Sequence, residues 1–307
     1  MQSVSPPSTP APGLGIDAGG TRTRWALADA AGSILAEGEV AGLSALQMAS
    51  AEGRASLHAS VEQMALQVRQ HAAPLRIRAG LTGFGADGAP LRELIAGAFG
   101  LAPDAVTLSN DIEIAYLDSF APGEGYLVYA GTGSIGAYID IAGQFHRAGG
   151  RGVLLDDGGG GYWIARAGLR HIWRAEDEAP GSWRTSPMAQ AVFTQLGGDD
   201  WDRSRQFMYG QERGAIGQLA LAVAASAESD PVAAAILTDA GRELARLGHA
   251  LCQRFGVRPV ALAGRAAALH TSIFASMRTA LPDAISLVHS GGHAHHAAAR
   301  IAASLAP

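Results

Sequence analysis

Residues 13–29 read GLGIDAGGTRTRWALAD. An apolar run ends at Asp17, the chain turns through Gly19-Gly20-Thr21, and the next residues alternate again, with Trp25 and Leu27 on one face. This pattern predicts a β-hairpin with a small, open tip. Such a tip lets backbone N–H groups and a hydroxyl approach an anion, and a carboxylate at the strand end can hold a hydrated Mg²⁺ beside phosphates. An ordinary glycine hairpin is the alternative interpretation.

The same pattern recurs in the second half of the chain. Residues 126–140 read YLVYAGTGSIGAYID, so that Ala130-Gly131 takes the place of Ala18-Gly19. A repeat at this long spacing predicts a duplicated domain and not a solenoid. Two glycine-tipped hairpins, one in each half, would be able to grip a polyphosphate from opposite sides.

Composition narrows the function classes. A chain of 307 residues predicts two domains, and its net charge of −5 without a basic stripe makes nucleic acid an unexpected partner. All 23 basic residues are arginine, which excludes a P-loop and lysine Schiff-base chemistry. Cys252 is the single cysteine, which excludes disulfides within the chain, a Cys₄ zinc site and a cysteine-ligated iron–sulfur cluster.

No apolar run reaches the length of a membrane span, so no membrane association is expected. Residues 1–12 are rich in Ser, Pro and Ala, which predicts a disordered tail and not a signal peptide. We therefore expect a cytoplasmic protein.

Hydrophobic periodicity predicts two mixed α/β sheets with helices on both faces. The segment 121–125, APGEG, divides the chain into a domain of residues 13–121 and a domain of residues 122–307 with a helical insert, whose last helix is able to pack back on the first domain. After the hairpins we expect strands at 33–40, 75–81, 105–108, 144–147, 259–263 and 284–289. Helices are expected at 47–71, 90–99, 112–120, 162–174 and 293–305, and over most of 187–255 with a break at 197–200; a polar loop is expected at 176–186.

Three further motifs bear on function. Residues 131–136 match GxGxxG, but a strand pattern follows where a dinucleotide site needs a helix, so that interpretation fails. Asp111 follows an apolar strand, where it is either a helix N-cap or a buried base that accepts a hydroxyl proton. Residues 156–161, DDGGGG, lead straight into an apolar helix start, which favours a ligand-binding helix N-terminus over a flexible linker.

Four histidines, His289, His293, His295 and His296, lie near the end of the chain. Ser290-Gly291-Gly292 separates the first two, and the last two are adjacent, so their rings are expected to point in different directions. No cysteine or nearby carboxylate joins them in the sequence. We expect solvated or capping histidines and not a metal site.

Together these motifs resemble those of the actin-like sugar kinases, a superfamily related to hexokinase and the heat-shock ATPases. Within it, the chain resembles the BadF/BadG/BcrA/BcrD ATPase family and its N-acetylglucosamine kinases from Leu14 onward. The most specific element is residues 149–164, GGRGVLLDDGGGGYWI, which is similar to the family pattern Gly-Gly-Trp-Gly…Gly-Asp-Glu-Gly-Ser-Gly-x-x-Ile. Residues 15–21 resemble the first phosphate motif, residues 131–134 the second, and residues 261–264 the adenosine motif.

The resemblance implies two RNase H-like domains around a central cleft, with ATP and Mg²⁺ as cofactors. It makes Asp111 the catalytic base and Asp17 the metal-binding carboxylate. The implied nucleotide contacts are Gly19, Gly20, Thr21, Gly131, Thr132, Gly133 and Gly264. The implied sugar contacts are Thr82, Asp111, Thr132, Gly150 and Asp156.

The chain departs from the family pattern at several positions. Arg151 replaces a tryptophan, Arg265 replaces the second glycine of the adenosine motif, and Asp157 and Gly159 replace Glu and Ser. Ala45 and Ile135 stand where sugar-binding asparagines are expected. The nucleotide motifs are therefore better preserved than the motifs that select the sugar.

The resemblance implies an ATP-dependent sugar kinase that converts N-acetylglucosamine, or glucosamine, to its 6-phosphate and works as a homodimer. The activators of radical dehydratases and the zinc-bearing kinases share the fold, but both need cysteines that this chain lacks. A non-catalytic sensor of nucleotide or sugar stays open as the alternative, because Ala45 and Ile135 depart from the sugar-binding pattern.

Overall fold

The computed structural model describes residues 12–85 and 88–304, so the predicted tail falls outside the described residues except for Pro12. The chain forms two compact units. One comprises the residues up to 118 together with those from 292 onward, and the other comprises residues 119–291. The sequence places the domain boundary at 121/122 and predicts a last helix that is able to pack back on the first domain; in the structure this helix belongs to the first unit.

The first unit contains a five-stranded sheet in the order β3-β2-β1-β4-β5. Strands β1, β2 and β3 form an antiparallel meander, and β4 and β5 pair parallel to β1 on its other side. The predicted hairpin of residues 13–29 is confirmed as β1 and β2. The strands are β1 (Gly13–Ala18), β2 (Arg22–Ala28), β3 (Ile34–Ala41), β4 (Arg76–Leu81) and β5 (Val106–Asn110).

Three helices follow strands of this sheet: α1 (Ala51–Arg69), α2 (Ala89–Phe99) and α3 (Asp111–Ser119). The single helix predicted at 47–71 is wrong at its start, where a 3₁₀ turn at Ala45–Ala49 precedes α1. Ser50 is the reason, because its extended backbone ends the turn and its side chain accepts a hydrogen bond from the Gly53 N–H as the N-cap of α1.

The second unit repeats the arrangement with a five-stranded sheet in the order β10-β9-β6-β7-β8. Strands β6, β7 and β8 form the antiparallel meander, and β9 and β10 add in parallel to β6. Both sheets thus have one topology, which confirms the predicted duplication. The strands are β6 (Tyr126–Ala130), β7 (Ser134–Ile139), β8 (Phe145–Gly149), β9 (Val260–Ala263) and β10 (Leu287–His289). The strand predicted at 284–289 begins only at Leu287, because Ile285 N–H closes a turn onto the Pro282 carbonyl.

Of the remaining helices, all but the last lie in the second unit. They are α4 (Gly161–Glu178), α5 (Pro187–Leu196), α6 (Trp201–Gly210), α7 (Arg213–Gly217), α8 (Leu219–Ala225), α9 (Pro231–Phe255), α10 (Thr271–Ala280) and α11 (Ala294–Ser304). The loop predicted at 176–186 is wrong over its first residues, which extend α4. Glu176 closes the turn after α4, since its carboxylate accepts hydrogen bonds from Gly181 N, Ser182 Oγ and Trp183 N.

Helix α11 packs against β1 through two glycines. A Cβ atom at Gly13 would lie 2.1 Å from Ala303 N, and one at Gly15 would lie 2.1 Å from His295 O, so any side chain would push the helix away. Alanines on β2 and on α11 complete this contact, where Ala26, Ala28, Ala299 and Ala303 are buried together. Small residues on both sides therefore allow the backbones of α11 and β1 to approach closely.

Among the described residues, no helix combines the length and the hydropathy that a membrane crossing requires.

Candidate functional site

The carboxyl ends of three parallel strands meet at one edge of the first sheet. The register pairs Ala18 of β1 with Leu81 of β4, and Leu81 with Asn110 of β5. Asp17 therefore lies near the end of β1, and Thr82 and Asp111 directly follow β4 and β5. This edge is where open α/β sheets place their ligands.

Asp111 is partly buried, and its carboxylate accepts hydrogen bonds from Thr82 and from the backbone. Thr82 Oγ1 donates to Oδ2 at 2.7 Å, and the Asp111 Oδ1 atom accepts from the Ile112 N–H at 3.1 Å. Burial raises the pKa of Asp111, the Thr82 hydrogen bond opposes that rise, and the negative charge of Asp17 adds to it. The carboxylate is thus oriented by Thr82 and made more basic by its surroundings, as a general base requires.

The N-cap of α3 is Asn110, which answers the alternative interpretation of Asp111. Asn110 Oδ1 accepts from the Glu113 N–H at 2.8 Å, and Glu113 Oε1 accepts from Asn110 Nδ2 at 2.7 Å. These two hydrogen bonds join Asn110 to Glu113 across the first turn of the helix, in the manner of a capping box. The Asp111 carboxylate is therefore not required as the cap.

Asp17 is held by Arg24, its partner across the β1–β2 hairpin. The register places the two residues opposite each other, and Arg24 Nη2 lies 2.8 Å from Asp17 Oδ2. Burial raises the pKa of Asp17, whereas Arg24 lowers it through a hydrogen bond and its charge, and Asp118 adds a negative charge nearby. Asp17 thus belongs to a group of three neighbouring aspartates, with Asp111 and Asp118.

The tip of the first hairpin is open. Gly19 N–H closes the turn onto the Arg22 carbonyl at 3.2 Å, and Gly20 and Thr21 are exposed. A Cβ atom built on Gly20 would meet no described atom within 4 Å. The backbone at Gly20 therefore leaves room for a ligand.

The tip of the second hairpin is bound to the start of helix α4. Gly161 N–H donates to the Gly131 carbonyl at 2.8 Å, and Tyr162 N–H donates to the Thr132 carbonyl at 2.9 Å. Two of the first N–H groups of α4 are thus already satisfied. The interpretation of this helix N-terminus as an anion site is therefore wrong for those two groups, and the glycine-rich segment serves to dock α4 on the hairpin.

Gly264 lies beside the same hairpin. It follows β9, which runs parallel to β6, and the Ala266 N–H donates to the Ala130 carbonyl at 2.9 Å. Gly264 has φ +99°, and a Cβ atom there would lie 2.3 Å from the Ala130 oxygen. Only glycine fits this combination of backbone angle and close approach. Tertiary structure thus brings Gly264 next to the second hairpin, whose tip contains the predicted second phosphate motif.

The loop between β8 and α4 carries the remaining predicted sugar contacts. Gly150 N–H donates to the Ser134 carbonyl at 3.1 Å, and Asp156 Oδ2 pairs with Arg246 Nη2 of α9 at 2.9 Å. Asp157 is buried with φ 54°, and its Oδ1 accepts from the N–H groups of Arg151 and Gly152, both at 3.0 Å. Burial raises its pKa, and these two hydrogen bonds oppose the rise.

The predicted residues therefore form two groups, one in each unit. The first unit holds Asp17, Gly19, Gly20, Thr21, Thr82 and Asp111. The second unit holds Gly131, Thr132, Gly133, Gly150, Asp156 and Gly264.

Sequence reasoning missed three residues that position these groups. Arg24 carried a usable signal, because a hairpin turning at Gly19-Gly20 sets Asp17 opposite Arg24 and opposite charges pair across strands. Asp157 was seen only as a replacement of Glu, and nothing in the sequence reveals its left-handed backbone. Arg246 lies 90 positions from Asp156, and only the fold brings them together.

The chain was compared with known families and structures. The sequence profile of the BadF/BadG/BcrA/BcrD ATPase family matches residues 14–297. A search of curated proteins finds no match.

Several solved structures share the fold. A candidate N-acetylglucosamine kinase from Chromobacterium violaceum is 25% identical, with a TM-score of 0.70 over 96% of this chain and 99% of that one. A candidate N-acetylglucosamine kinase from Porphyromonas gingivalis is 16% identical, with a TM-score of 0.72 over 92% and 96%. A ROK family glucokinase from Streptomyces griseus, solved with glucose and AMPPNP, is 17% identical, with a TM-score of 0.61 over 96% and 99%.

These similarities agree with the duplicated five-stranded sheets, whose topology matches that of the two-domain actin-like ATPases. The profile match covers nearly the whole chain, including both hairpins and the glycine-rich loop before α4. The protein belongs to the BadF/BadG/BcrA/BcrD ATPase family.

Proposed function

We propose that this protein is an ATP-dependent sugar kinase, with an amino sugar as substrate and N-acetylglucosamine or glucosamine, phosphorylated at the 6-hydroxyl, as the leading candidate. One observation carries the proposal: Asp111 lies at the carboxyl edge of a parallel sheet, oriented by Thr82, with a raised pKa. The 25% identity to a candidate N-acetylglucosamine kinase over nearly the full length of both chains supports it.

In the proposed reaction, the substrate hydroxyl attacks the γ-phosphorus of ATP while Asp111 accepts its proton. A bond forms between the sugar oxygen and phosphorus, the bond to the bridging oxygen breaks, and ADP leaves. Thr82 donates to one oxygen of Asp111 and so fixes the plane of the carboxylate. Positioning and charge stabilisation account for most of the catalysis of phosphoryl transfer.

The candidate nucleotide contacts are the tip of the first hairpin in the first unit and, in the second unit, the tip of the second hairpin and Gly264. The open backbone at Gly20 fits a phosphate, and Thr21 adds a hydroxyl donor. Asp17 fits a water-mediated contact with Mg²⁺, since Arg24 engages only its Oδ2 atom in the hydrogen bond of the hairpin. When bound, Mg²⁺ neutralises the charge of the transferring phosphoryl group.

The identity of the sugar is the finer part of the proposal. Thr82, Thr132, Gly150 and Asp156 are the candidate contacts, and Asp156 is already paired with Arg246. Because Ala45 and Ile135 lack the amide side chains expected at their positions, backbone groups or a water molecule would have to contact the sugar there.

The test is ADP release with Mg²⁺-ATP across a panel of hexoses and amino sugars. The panel is run with the wild type, with Asp111→Asn, and with Asp104→Asn, which changes an exposed aspartate of the same unit. Turnover that depends on one sugar, persists in Asp104→Asn and is lost in Asp111→Asn supports the kinase. Calorimetric binding of sugar or ATP without turnover on any panel member contradicts it and favours a sensor.

The proposal also includes a homodimer. Light scattering on the eluting protein tests it, since one chain has a mass of 31.5 kDa. A mass near that of one chain contradicts the dimer and leaves the proposed chemistry unaffected.

A further inference from the structure

Three histidines converge at the start of helix α11, and none of them takes part in the proposed reaction. One potential ligand atom from each of His293, His295 and His296 lies within 4.8 Å of the others. The rings of His293 and His296 stack with centroids 4.9 Å apart, and those of His295 and His296 are 4.3 Å apart. The expectation that the rings of His295 and His296 point in different directions is therefore wrong.

A carboxylate from the edge strand β3 contacts two of these histidines. Glu37 Oε2 lies 2.5 Å from His296 Nε2 and 3.5 Å from His295 Nε2. Two ligand atoms bound to one tetrahedral zinc ion, each at about 2.0 Å, lie about 3.3 Å apart. The two distances from the Glu37 oxygen lie on either side of that value.

His295 carries a buried ring nitrogen that lacks a partner. It is only 5% exposed, and its Nδ1 atom is buried without a hydrogen-bond partner among the described residues. Buried polar atoms in folded proteins almost always have a partner.

We propose that His293, His295 and His296, together with Glu37, bind one divalent transition-metal ion of the zinc class. Three imidazole nitrogens and one carboxylate oxygen are a donor set that suits Zn²⁺ and Co²⁺ better than Mg²⁺. The site then fastens α11 to the edge of the first sheet.

The experiment uses the full chain, freed of metal by a chelator and titrated with Zn²⁺ by calorimetry and with Co²⁺ by visible absorption. One equivalent of each is expected to bind, with the intense Co²⁺ bands of a tetrahedral site, in the presence of millimolar Mg²⁺ and without nucleotide or sugar. The thermal midpoint rises with zinc concentration, because the ion binds only the folded site. Absence of one-to-one binding in the wild type overturns the proposal.

Substitutions of the proposed ligands test where the ion binds. The double variant His293→Ala/His296→Ala removes two ligands without opening the buried His295 position, and its affinity is expected to fall by at least about 100-fold. Glu37→Gln keeps the shape of an exposed side chain and is expected to lose about tenfold. His58→Ala, an exposed histidine on α1, is the matched control. Wild-type affinity in the double variant, or an equal loss in the control, contradicts the assignment.

Discussion

Asp111 in the first unit is partly buried and Asp230 in the second is buried, and their pKa values move in opposite directions. Burial raises the pKa of Asp111, and its hydrogen bonds do not compensate. Burial also acts on Asp230, which is 4% exposed, but its hydrogen bonds outweigh that effect and lower the pKa.

The difference lies in how completely each carboxylate is satisfied. Asp230 Oδ2 accepts from Ser186 Oγ at 2.7 Å and from Met188 N at 3.0 Å, while Oδ1 accepts from Val232 N at 2.9 Å and from Ala233 N at 3.3 Å. It thereby caps α9 and ties that helix to the start of α5. Asp111 has fewer donors and a carboxylate neighbour, so it can take a proton. A buried carboxylate with all its hydrogen bonds is structural, whereas one left short of them is available for chemistry.

The largest expected effect is at Asp111, where one substitution is expected to lower activity and to raise stability. Asp111→Asn is expected to lower kcat by roughly 10²–10⁴ because the hydroxyl proton loses its acceptor. The same change is expected to raise the free energy of unfolding by about 0.5–2 kcal/mol, since a neutral amide costs less to bury than a carboxylate. Steady-state kinetics and urea unfolding of one preparation measure both. If Asp111→Asn stays active, or is inactive only because it unfolds, then Asp111 does not differ from Asp230 in the way proposed.

Substitution of Asp230 is expected to lower stability and to leave kcat nearly unchanged. Asp230→Ala removes the N-cap of α9 and leaves buried donors without an acceptor, so the free energy of unfolding falls by about 2–4 kcal/mol. At a temperature where the variant is folded, kcat is expected to stay within a factor of about three, because no substrate contact changes. Asp239→Ala, which breaks one exposed ion pair on the same helix, is the control and is expected to cost less than about 0.5 kcal/mol.

The next prediction concerns the backbone at the open tip of the first hairpin, where a substitution is expected to affect activity but not stability. Gly20→Ala is expected to lower kcat/KM for ATP by about tenfold, because a methyl group intrudes where the phosphate approaches. Stability should change by less than about 0.5 kcal/mol, since the added Cβ meets no described atom within 4 Å. Gly97→Ala, at an equally unobstructed position on α2, is the control for activity. Unchanged ATP kinetics in Gly20→Ala contradicts the role of this tip.

The smallest effect is the pH dependence of stability. The folded pKa of Asp111 is raised, so the folded state keeps its proton longer and loses stability as the pH rises above the unfolded value of 3.8. The folded pKa of Asp230 is lowered, so its contribution is present above 3.8 and is lost as the pH falls through its folded pKa.

Urea unfolding of the wild type, Asp111→Asn and Asp230→Asn from pH 3.5 to pH 7 tests these signs. The free energy of unfolding of Asp111→Asn relative to the wild type should increase with pH, and that of Asp230→Asn relative to the wild type should decrease with pH. Groups that face Asp111, Asp17 above all, contribute to the first slope. Parallel curves for all three proteins would show that neither carboxylate has a shifted pKa.

Local sequence predicted both hairpins and most of the helices, because alternation, glycine turns and caps act within a few residues. The predictions of helix ends are wrong where a single side chain starts or ends the helix. Ser50 separates a 3₁₀ turn from α1, and Glu176 gathers three donors to close the turn after α4. Asn110 and not Asp111 caps α3, which sequence position alone could not decide because both residues are common caps.

The sequence by itself determined the duplicated α/β architecture and named the candidate carboxylates, because motif spacing and strand periodicity are local properties. Only the tertiary structure decided their surroundings. Arg24 reaches Asp17 through hairpin register, Arg246 reaches Asp156 from a distant helix, and Glu37 meets His295 and His296 because α11 lies against β1 at two glycines. Burial and partner choice depend on residues far apart in the chain, and these set the pKa of each group and hence what it can do.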